Sequence, residues 1–446
     1  MKKVIKLVGL IILGFVAYLV LTNYPKLDLI SGFSAKSVAS CRFLDNRDLK
    51  SIEKQDNNID LIDLAKNKIN DAEKFATASV FGLKERKAIY REGLGATLID
   101  DDFDETKTYE VPKRTVINNN LDYPFGNLEP KNTVFDNVNY TQLNAAVNSA
   151  FDNKNENKKR TRSVLVLYKG KLLTEKYADG FNKNSKLLGW SMTKSLTATM
   201  FGILQKQGKF DINKPAPIAE WKNDKRAKIT TNDLLHMNSG LEWEENYGTI
   251  SDVTKMLFLE KDMGAVQLKK EQLFAPNTHW NYSSGTTNLL SKILRMQFKT
   301  HQEYLDFLYS ALIDKIGMNS MIVETDMTGN FVGSSYGWAT TRDWARFGQL
   351  YLDNGMWNGE QIFEPNWAKY VATPTPTSNG IYGAHFWLNN GQNYPDVPKD
   401  MYHCSGYQGQ MVYIIPSANI VVVRMGLSED FDFNRLLKDI LASIKR

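Results

Sequence analysis

A serine and a lysine three residues apart carry the strongest chemical signal in the sequence. Ser191 and Lys194 stand at the head of a predicted helix that ends near Gly208. Residues three apart share one face of a helix, so Lys194 is predicted to lie beside Ser191 and accept its proton. A free lysine is protonated at pH 7, so burial has to lower its pKa before it can act as a base. The Ser191 N–H, at a helix N-terminus, is predicted to help hold an oxyanion.

Spacing alone does not identify a nucleophile. The pattern Ser-x-x-Lys is expected about once or twice by chance in a chain of this length. Ser51 and Lys54 match it as well, in a charge-rich stretch with no apolar helix after it. Ser191 follows Trp190 and precedes an apolar run that can be buried. Ser191 is therefore the candidate, although a structural serine fits the spacing equally well.

Two further segments offer groups that suit the same chemistry. Tyr282, within Asn281–Gly285, could relay a proton to a leaving group if it lay beside the serine–lysine pair. The small residues Ser405 and Gly406 would let a strand edge approach a substrate closely. The backbone N–H of Tyr407 could be a second oxyanion donor. Taken singly, these segments fit an interior loop tyrosine and a glycine-rich turn just as well.

The surrounding pattern predicts the elements that position these residues. Two hairpins are predicted, one at 163–168 with 172–177 and one at 411–415 with 420–425. Helices are predicted between and after them, at 230–240, 289–296, 302–312 and 341–354, and in the C-terminal stripe of Leu436, Leu437, Ile440, Leu441 and Ile444. The predicted fold class is therefore α/β. One antiparallel sheet, flanked by helices, is formed by strands from both halves of this region, and a helical subdomain lies between them in the sequence.

The N-terminal residues indicate a membrane segment. Lys2, Lys3 and Lys6 precede an uncharged, mostly apolar run from Leu7 to Pro25, which is just long enough to span a bilayer. The basic flank predicts that the N-terminus stays in the cytoplasm and the catalytic domain lies outside it, on the periplasmic side of a bacterial inner membrane. A cleaved signal peptide is the alternative for residues 1–25.

Residues 26–140 are predicted to be an extension packed on a catalytic domain at 141–446. Within it, residues 60–76 have near-helical spacing, and strands are predicted near 78–82, 87–90 and 95–99.

Composition excludes several functional classes. The formal charge is +5 over 446 residues, with acidic and basic side chains interspersed, so nucleic acid is not an expected partner. The sequence has no glycine-rich phosphate loop, and its five histidines are dispersed, so neither a cofactor nor a metal is expected. Cys41 and Cys404 could form a disulfide in an oxidising compartment, which the sequence alone does not decide.

In combination, the motifs resemble those of the penicillin-recognising serine enzymes. Ser191-x-x-Lys194, Tyr282-x-Ser284 and Cys404-Ser405-Gly406 occur in the order typical of that superfamily, and the tyrosine is typical of its class C beta-lactamase type. The resemblance runs from about residue 141 to the C-terminus. Supporting segments are 229–241, Pro276-Asn-Thr278, Tyr336–Gly348 and Gly406–Gln410, the last two being most similar to 6-aminohexanoate-dimer (nylon-oligomer) hydrolases and related carboxylesterases.

The resemblance implies a beta-lactamase/transpeptidase-like fold and hydrolysis of a small amide or ester through an acyl-enzyme on Ser191. Lys194 and Tyr282 would be the other catalytic residues, and Ser284, Ser405, Gly406 and Tyr407 would hold the oxyanion and substrate. The alternative is a penicillin-binding-type carboxypeptidase or a non-catalytic wall sensor on the same fold. Cys404 occupies the place where the superfamily usually has Lys or His, and His403 falls one residue early. We therefore expect acyl transfer without a preference for penicillins.

Overall fold

The chain forms two compact units in the computed structural model, which describes residues 2–116, 119–153 and 158–445, without the side chains of 2–5, 8–13 and 15–22. The first unit comprises residues 1–91, 95–106 and 244–261, and the second 92–94, 107–243 and 262–446. The α-helices are α1 Lys2–Asp45, α2 Leu49–Lys54, α3 Tyr140–Ser149, α4 Thr193–Lys206, α5 Thr231–Leu235, α6 Asp252–Leu259, α7 Met263–Leu268, α8 Ser284–Arg295, α9 His301–Leu308, α10 Thr341–Leu352, α11 Pro365–Val371 and α12 Phe433–Ala442. The strands are β1 Ala65–Asn70, β2 Phe75–Val80, β3 Leu83–Arg91, β4 Gly95–Ile99, β5 Thr161–Tyr168, β6 Lys171–Tyr177, β7 Lys186–Leu188, β8 Ile322–Val323, β9 Gly337–Thr340, β10 Met356–Trp357, β11 Glu360–Gln361, β12 Trp387–Leu388, β13 Tyr402–Gly406, β14 Gln410–Ile415 and β15 Ile420–Gly426.

The first unit is an antiparallel sheet in the order β1-β2-β3-β4, with α1 packed along it. Its later strands agree with the prediction, but the helical spacing assigned to residues 60–76 was wrong. A tight turn separates β1 from β2, because the Asn70 side chain accepts the N–H groups of Ala72 and Glu73 at 3.1 and 3.0 Å. Lys74 then has a φ of 53°, which a continuing helix cannot adopt.

The second unit is built on a sheet in the order β12-β13-β14-β15-β5-β6. The N-terminal hairpin β5–β6 pairs with the C-terminal strand β15, with Val166 opposite Val422, so both halves complete one antiparallel sheet as predicted. The side chains of one face, such as Leu165 and Val423, join a core with α4, α8 and α10. Those of the other face, such as Val422, pack with α3 and α12.

The N-terminal prediction falls largely outside the described side chains. Among the residues that the structure does describe, no helix is both long enough and apolar enough to cross a membrane. The anchor at residues 1–25 stays a prediction. Cys41 and Cys404 are both buried, and neither belongs to a disulfide.

Candidate active site

The Lys194 ammonium nitrogen lies at the centre of the candidate site. It donates to Ser191 Oγ at 2.9 Å, to Ser284 Oγ at 2.8 Å and to the Ser334 carbonyl oxygen at 3.0 Å. Lys194 is 1% exposed, whereas Ser191 is half-buried and keeps part of its surface in contact with solvent. All three acceptors are neutral, so none of them stabilises the charged amine as a carboxylate would. This environment suits a lysine that accepts a proton from Ser191.

A strained turn presents Ser191 at the start of α4. Trp190, just before it, has a φ of 47°, which is rare for a bulky side chain. The Thr193 hydroxyl donates to the Trp190 carbonyl at 2.7 Å and accepts the Gly337 N–H at 2.9 Å, which ties the turn to β9. The indole ring packs edge-on against Tyr407, with 5.5 Å between centroids. Strain of this kind persists only where the surrounding structure fixes it.

Tyr282 lies over the lysine and forms part of an aromatic wall. The Lys194 nitrogen is 4.9 Å from the centroid of the Tyr282 ring. Trp387 packs beside that ring at 5.2 Å between centroids, and Tyr382 meets it edge-on at 5.8 Å. Trp280 contacts both Tyr382 and Trp387. The wall has a large apolar surface next to the serine–lysine pair.

The end of β13 borders the same site. A Cβ on Gly406 would lie only 2.1 Å from the Gly189 carbonyl oxygen, so this strand directly contacts the segment that leads into Ser191. Tyr407, whose N–H is the predicted oxyanion donor, follows β13 and contacts Trp190. Ser405 lines a cavity of about 390 Å³ with Trp387 and His403, and Ser191, Lys194 and Tyr282 are not among the residues that line it. The missing side chain of Gly406 thus lets β13 approach the turn that carries Ser191, whereas the predicted approach of this edge to a substrate stays a prediction.

Cys404 and His403 point to opposite faces of β13. The Cys404 side chain is 1% exposed within the core that contains α4, and burial raises the pKa of its thiol to about 12. The His403 ring packs against Tyr394 and Tyr413 on the other face, where burial lowers its pKa to about 3. Both side chains are therefore neutral near pH 7. His403 does not occupy the place of Cys404, as the alternation of strand side chains predicts.

Several contributors to the site have no signal in the sequence. The Ser334 carbonyl accepts from Lys194 through the backbone, and the Asn288 side chain holds this segment by accepting the Ser334 N–H at 3.1 Å. His385 is fully buried, with Nε2 2.9 Å from the Thr287 hydroxyl and Nδ1 donating to the Leu235 carbonyl at 2.7 Å. Burial lowers the pKa of His385 to about 3, so this imidazole stays neutral.

The second Ser-x-x-Lys match forms no comparable arrangement. Ser51 lies in α2, and its hydroxyl accepts from Arg47 at 3.0 Å. The Arg342 guanidinium is paired with the carboxylates of Glu175 and Glu129. Only the Ser191 match brings a serine, a lysine and a tyrosine together.

The fold and the site define a serine hydrolase of the penicillin-recognising type. The sequence profile of the beta-lactamase family matches residues 147–439, about two thirds of the chain, and the chain belongs to that family.

Individual relatives agree with this assignment. A 6-aminohexanoate-dimer hydrolase of Paenarthrobacter ureafaciens is 22% identical over 330 residues, covering 64% of this chain and 78% of the relative. A Bacillus anthracis structure assigned as a 6-aminohexanoate-dimer hydrolase has a TM-score of 0.54 and 24% identity, covering 62% of this chain and 76% of its own. A family VIII carboxylesterase has a TM-score of 0.53 and 14% identity, covering 71% of this chain and all of its own.

Proposed function

We propose that this protein hydrolyses small, uncharged amides or esters through an acyl-enzyme on Ser191. One observation carries the proposal: the buried Lys194 nitrogen lies 2.9 Å from the hydroxyl of a serine that is itself partly exposed. A buried amine that donates hydrogen bonds to neutral oxygen atoms, next to an accessible hydroxyl, is what an activated nucleophile requires.

The reaction begins when Lys194, as the free amine, takes the Ser191 proton while Oγ attacks the substrate carbonyl carbon. The N–H groups of Ser191 and Tyr407 hold the oxyanion that forms. Tyr282 delivers a proton to the leaving amine or alcohol as the carbonyl–leaving-group bond breaks. Water then attacks the acyl-enzyme, its proton passes back through the same groups, and Ser191 is regenerated. Each step needs only protons and water.

The names of relatives support amides and esters as the bonds that are cleaved. One relative is named as a 6-aminohexanoate-dimer hydrolase and one similar structure as a carboxylesterase, which favours both amides and esters. The neutral Cys404 thiol supports uncharged substrates, because no cation stands where this superfamily usually places one. The half-buried rings of Tyr282 and Trp387, with the buried Tyr382 packed behind them, offer an apolar surface for the acyl or leaving group.

The test compares two single variants. Ser191→Ala is expected to lose labelling by a fluorophosphonate probe and to lower ester turnover by several orders of magnitude, with unchanged thermal unfolding. Ser51→Ala is the matched control and should keep both activities, since Ser51 lies in the first unit, where its hydroxyl accepts a hydrogen bond from Arg47. Labelling that survives Ser191→Ala would refute the proposed nucleophile. A native protein that neither labels nor turns over would favour the wall-sensor alternative.

We also propose that residues 1–25 anchor the protein in a membrane with the catalytic domain on the periplasmic side. The support is the basic cluster Lys2, Lys3 and Lys6 followed by the uncharged run to Pro25. Fractionation should recover the protein in membranes after carbonate washing. Protease added to spheroplasts should digest its C-terminal part, whereas protection there, or a mature N-terminus beyond Pro25, would refute this arrangement.

A further inference from the structure

One end of the first unit carries a group of exposed apolar side chains. Leu61, Leu64, Phe81 and Leu83 are 50%, 42%, 74% and 47% exposed. They are neighbours, because Leu64 leads into β1, Ala65 pairs with Val80, and Val80 pairs with Leu83 across the turn. We refer to these four residues as the apolar tip. Large side chains grouped in this way on a surface indicate a partner.

The backbone of the apolar tip is unfavourable for the residues it carries. Phe81 and Gly82 form the two-residue turn between β2 and β3, with φ values of 54° and 74°. Asparagine or glycine suits such a turn, and phenylalanine does not. Leu61 has a φ of 71°, again in a region that bulky side chains rarely adopt. The folded unit gains nothing from strained and exposed side chains, so their apolar character points to a role outside the fold.

The direction of α1 places this tip beside the predicted anchor. Three contacts define that direction along the sheet: Lys84 Nζ to Asp28 at 2.8 Å, Ser34 Oγ to Asn67 at 2.7 Å, and Arg42 Nε to Asp71 at 2.7 Å. The residues of α1 that follow the apolar run therefore lie at the end of the sheet with Phe81 and Leu83. The later residues of α1 lie at the opposite end, with the turn after Asn70.

Tyr24 marks where the anchor meets this end. It lies at the C-terminal end of the uncharged run, is 43% exposed, and has the Lys84 ammonium 4.9 Å from its ring centroid. Tyrosine and lysine are typical of the membrane–water interface, where an apolar ring or stem meets polar headgroups. Asp60 precedes Leu61 and Asp63 precedes Leu64 in the sequence. Because these carboxylates have to stay hydrated, they limit how deeply the apolar tip can enter a bilayer.

We propose that the apolar tip inserts into the headgroup–acyl boundary of the same bilayer that holds the anchor. The partner is lipid, and the tip is a second, shallow contact that fixes the orientation of the first unit on the membrane. This inference rests on the proposed membrane anchor, and it adds a lipid-binding surface that the anchor alone does not require.

The test uses the full chain in phosphatidylcholine vesicles. Phe81→Cys and Glu73→Cys each receive an environment-sensitive fluorophore, and both native cysteines are buried and 1% exposed, so the unmodified protein gives the labelling background. Glu73 is the matched control, since it is an exposed turn residue at the other end of the same sheet, about 20 Å away along α1. The probe at position 81 should shift to the blue and be quenched by lipids brominated near the headgroup, and the probe at 73 should show neither change.

The possible results distinguish a failure of the proposed apolar tip from a failure of the proposed anchor. Equal behaviour of the two probes, in protein that resists carbonate extraction, would overturn the tip and leave the anchor in place. Protein that carbonate releases from the vesicles would overturn both. Phe81→Asn gives a check without membranes, because asparagine suits the positive φ and should raise the thermal midpoint. A lowered midpoint would mean that the Phe81 ring stabilises the fold, and would overturn the inference.

Discussion

The Gly406 Cα faces the Gly189 carbonyl so closely that a Cβ would lie 2.1 Å from that oxygen. Because the obstacle is backbone, Gly406→Ala has to separate β13 from the turn that carries Ser191. We expect kcat/KM to fall by roughly a hundredfold, since small displacements of reacting groups are that costly, and stability to fall by about 1–3 kcal/mol. Steady-state kinetics and urea unfolding measure the two effects. Gly248→Ala is a matched surface control, since Gly248 is exposed, has no positive φ, and its Cβ position lies 3.4 Å from the Asn246 side chain.

Two adjacent serines, Ser283 just before α8 and Ser284 at its start, allow an effect on catalysis to be distinguished from an effect on stability. Ser284 accepts a hydrogen bond from Lys194 at 2.8 Å, whereas Ser283 caps α8 by accepting the Thr286 N–H at 2.9 Å. Ser284→Ala should lower kcat roughly ten- to hundredfold, the value of a hydrogen bond to a charged group, with little change in KM. Ser283→Ala should instead lower stability by about 1 kcal/mol and keep kcat. Equal effects of the two variants on kcat would contradict the assignment of Ser284 to the lysine.

Tyr282→Phe tests the proposed proton relay. The variant keeps the ring beside Lys194 and Trp387 and removes only the hydroxyl. General acid–base groups contribute roughly 10²–10⁴ in rate, so kcat should fall within that range while KM stays nearly constant. The fall in kcat should be larger for amides than for aryl esters, because an amine has to be protonated in order to leave, whereas a phenolate does not. An unchanged rate of amide hydrolysis would show that Tyr282 packs in the aromatic wall and does not transfer the proton.

The sequence predicted that Ser191, Lys194 and Tyr282 lie together, because the signals for this grouping are local. The Ser-x-x-Lys spacing, the tyrosine before α8 and the small residues of β13 each lie at the end of a strongly patterned element. The Ser334 carbonyl could not be predicted, since a backbone oxygen has no residue type that marks it. The positive φ of Trp190 is likewise set by tertiary contacts with Thr193 and β9. The helix predicted for residues 60–76 was wrong because a short segment of mixed polar and apolar residues fits the helical period and the strand period equally well.

Buried histidines predict a stability that falls in acid. Burial lowers the pKa of His236 to about 4 and those of His385 and His403 to about 3, from an unfolded value near 6.5. Below pH 6.5 the unfolded chain therefore binds protons that the folded chain does not. Each histidine then removes up to about 1.4 kcal/mol of stability per pH unit until its folded pKa is reached. Asp326 opposes this, because burial raises its pKa to about 6.

The check is urea unfolding at pH 7.0 and pH 5.0. The midpoint should be lower at pH 5.0, and His385→Asn should reduce the difference, since asparagine suits the φ of 60° at this position. A midpoint that rises on going to pH 5.0 would show that carboxylates such as Asp326 dominate.

The neutral character of the site predicts its selectivity. Cys404 is buried and remains a thiol, and Arg342 is held by Glu129 and Glu175, so neither offers a positive charge to a substrate carboxylate. A hydrogen bond to a charged group is worth about 1.5–3 kcal/mol, or one to two factors of ten. We therefore expect kcat/KM for a chromogenic cephalosporin to be roughly tenfold or more below that for a neutral aryl ester. Cys404→Lys should narrow this gap, with thermal unfolding as the control for the added bulk. Efficient cephalosporin hydrolysis by the native chain would mean that another cation reaches the substrate carboxylate and that the placement of Cys404 in the third motif is wrong.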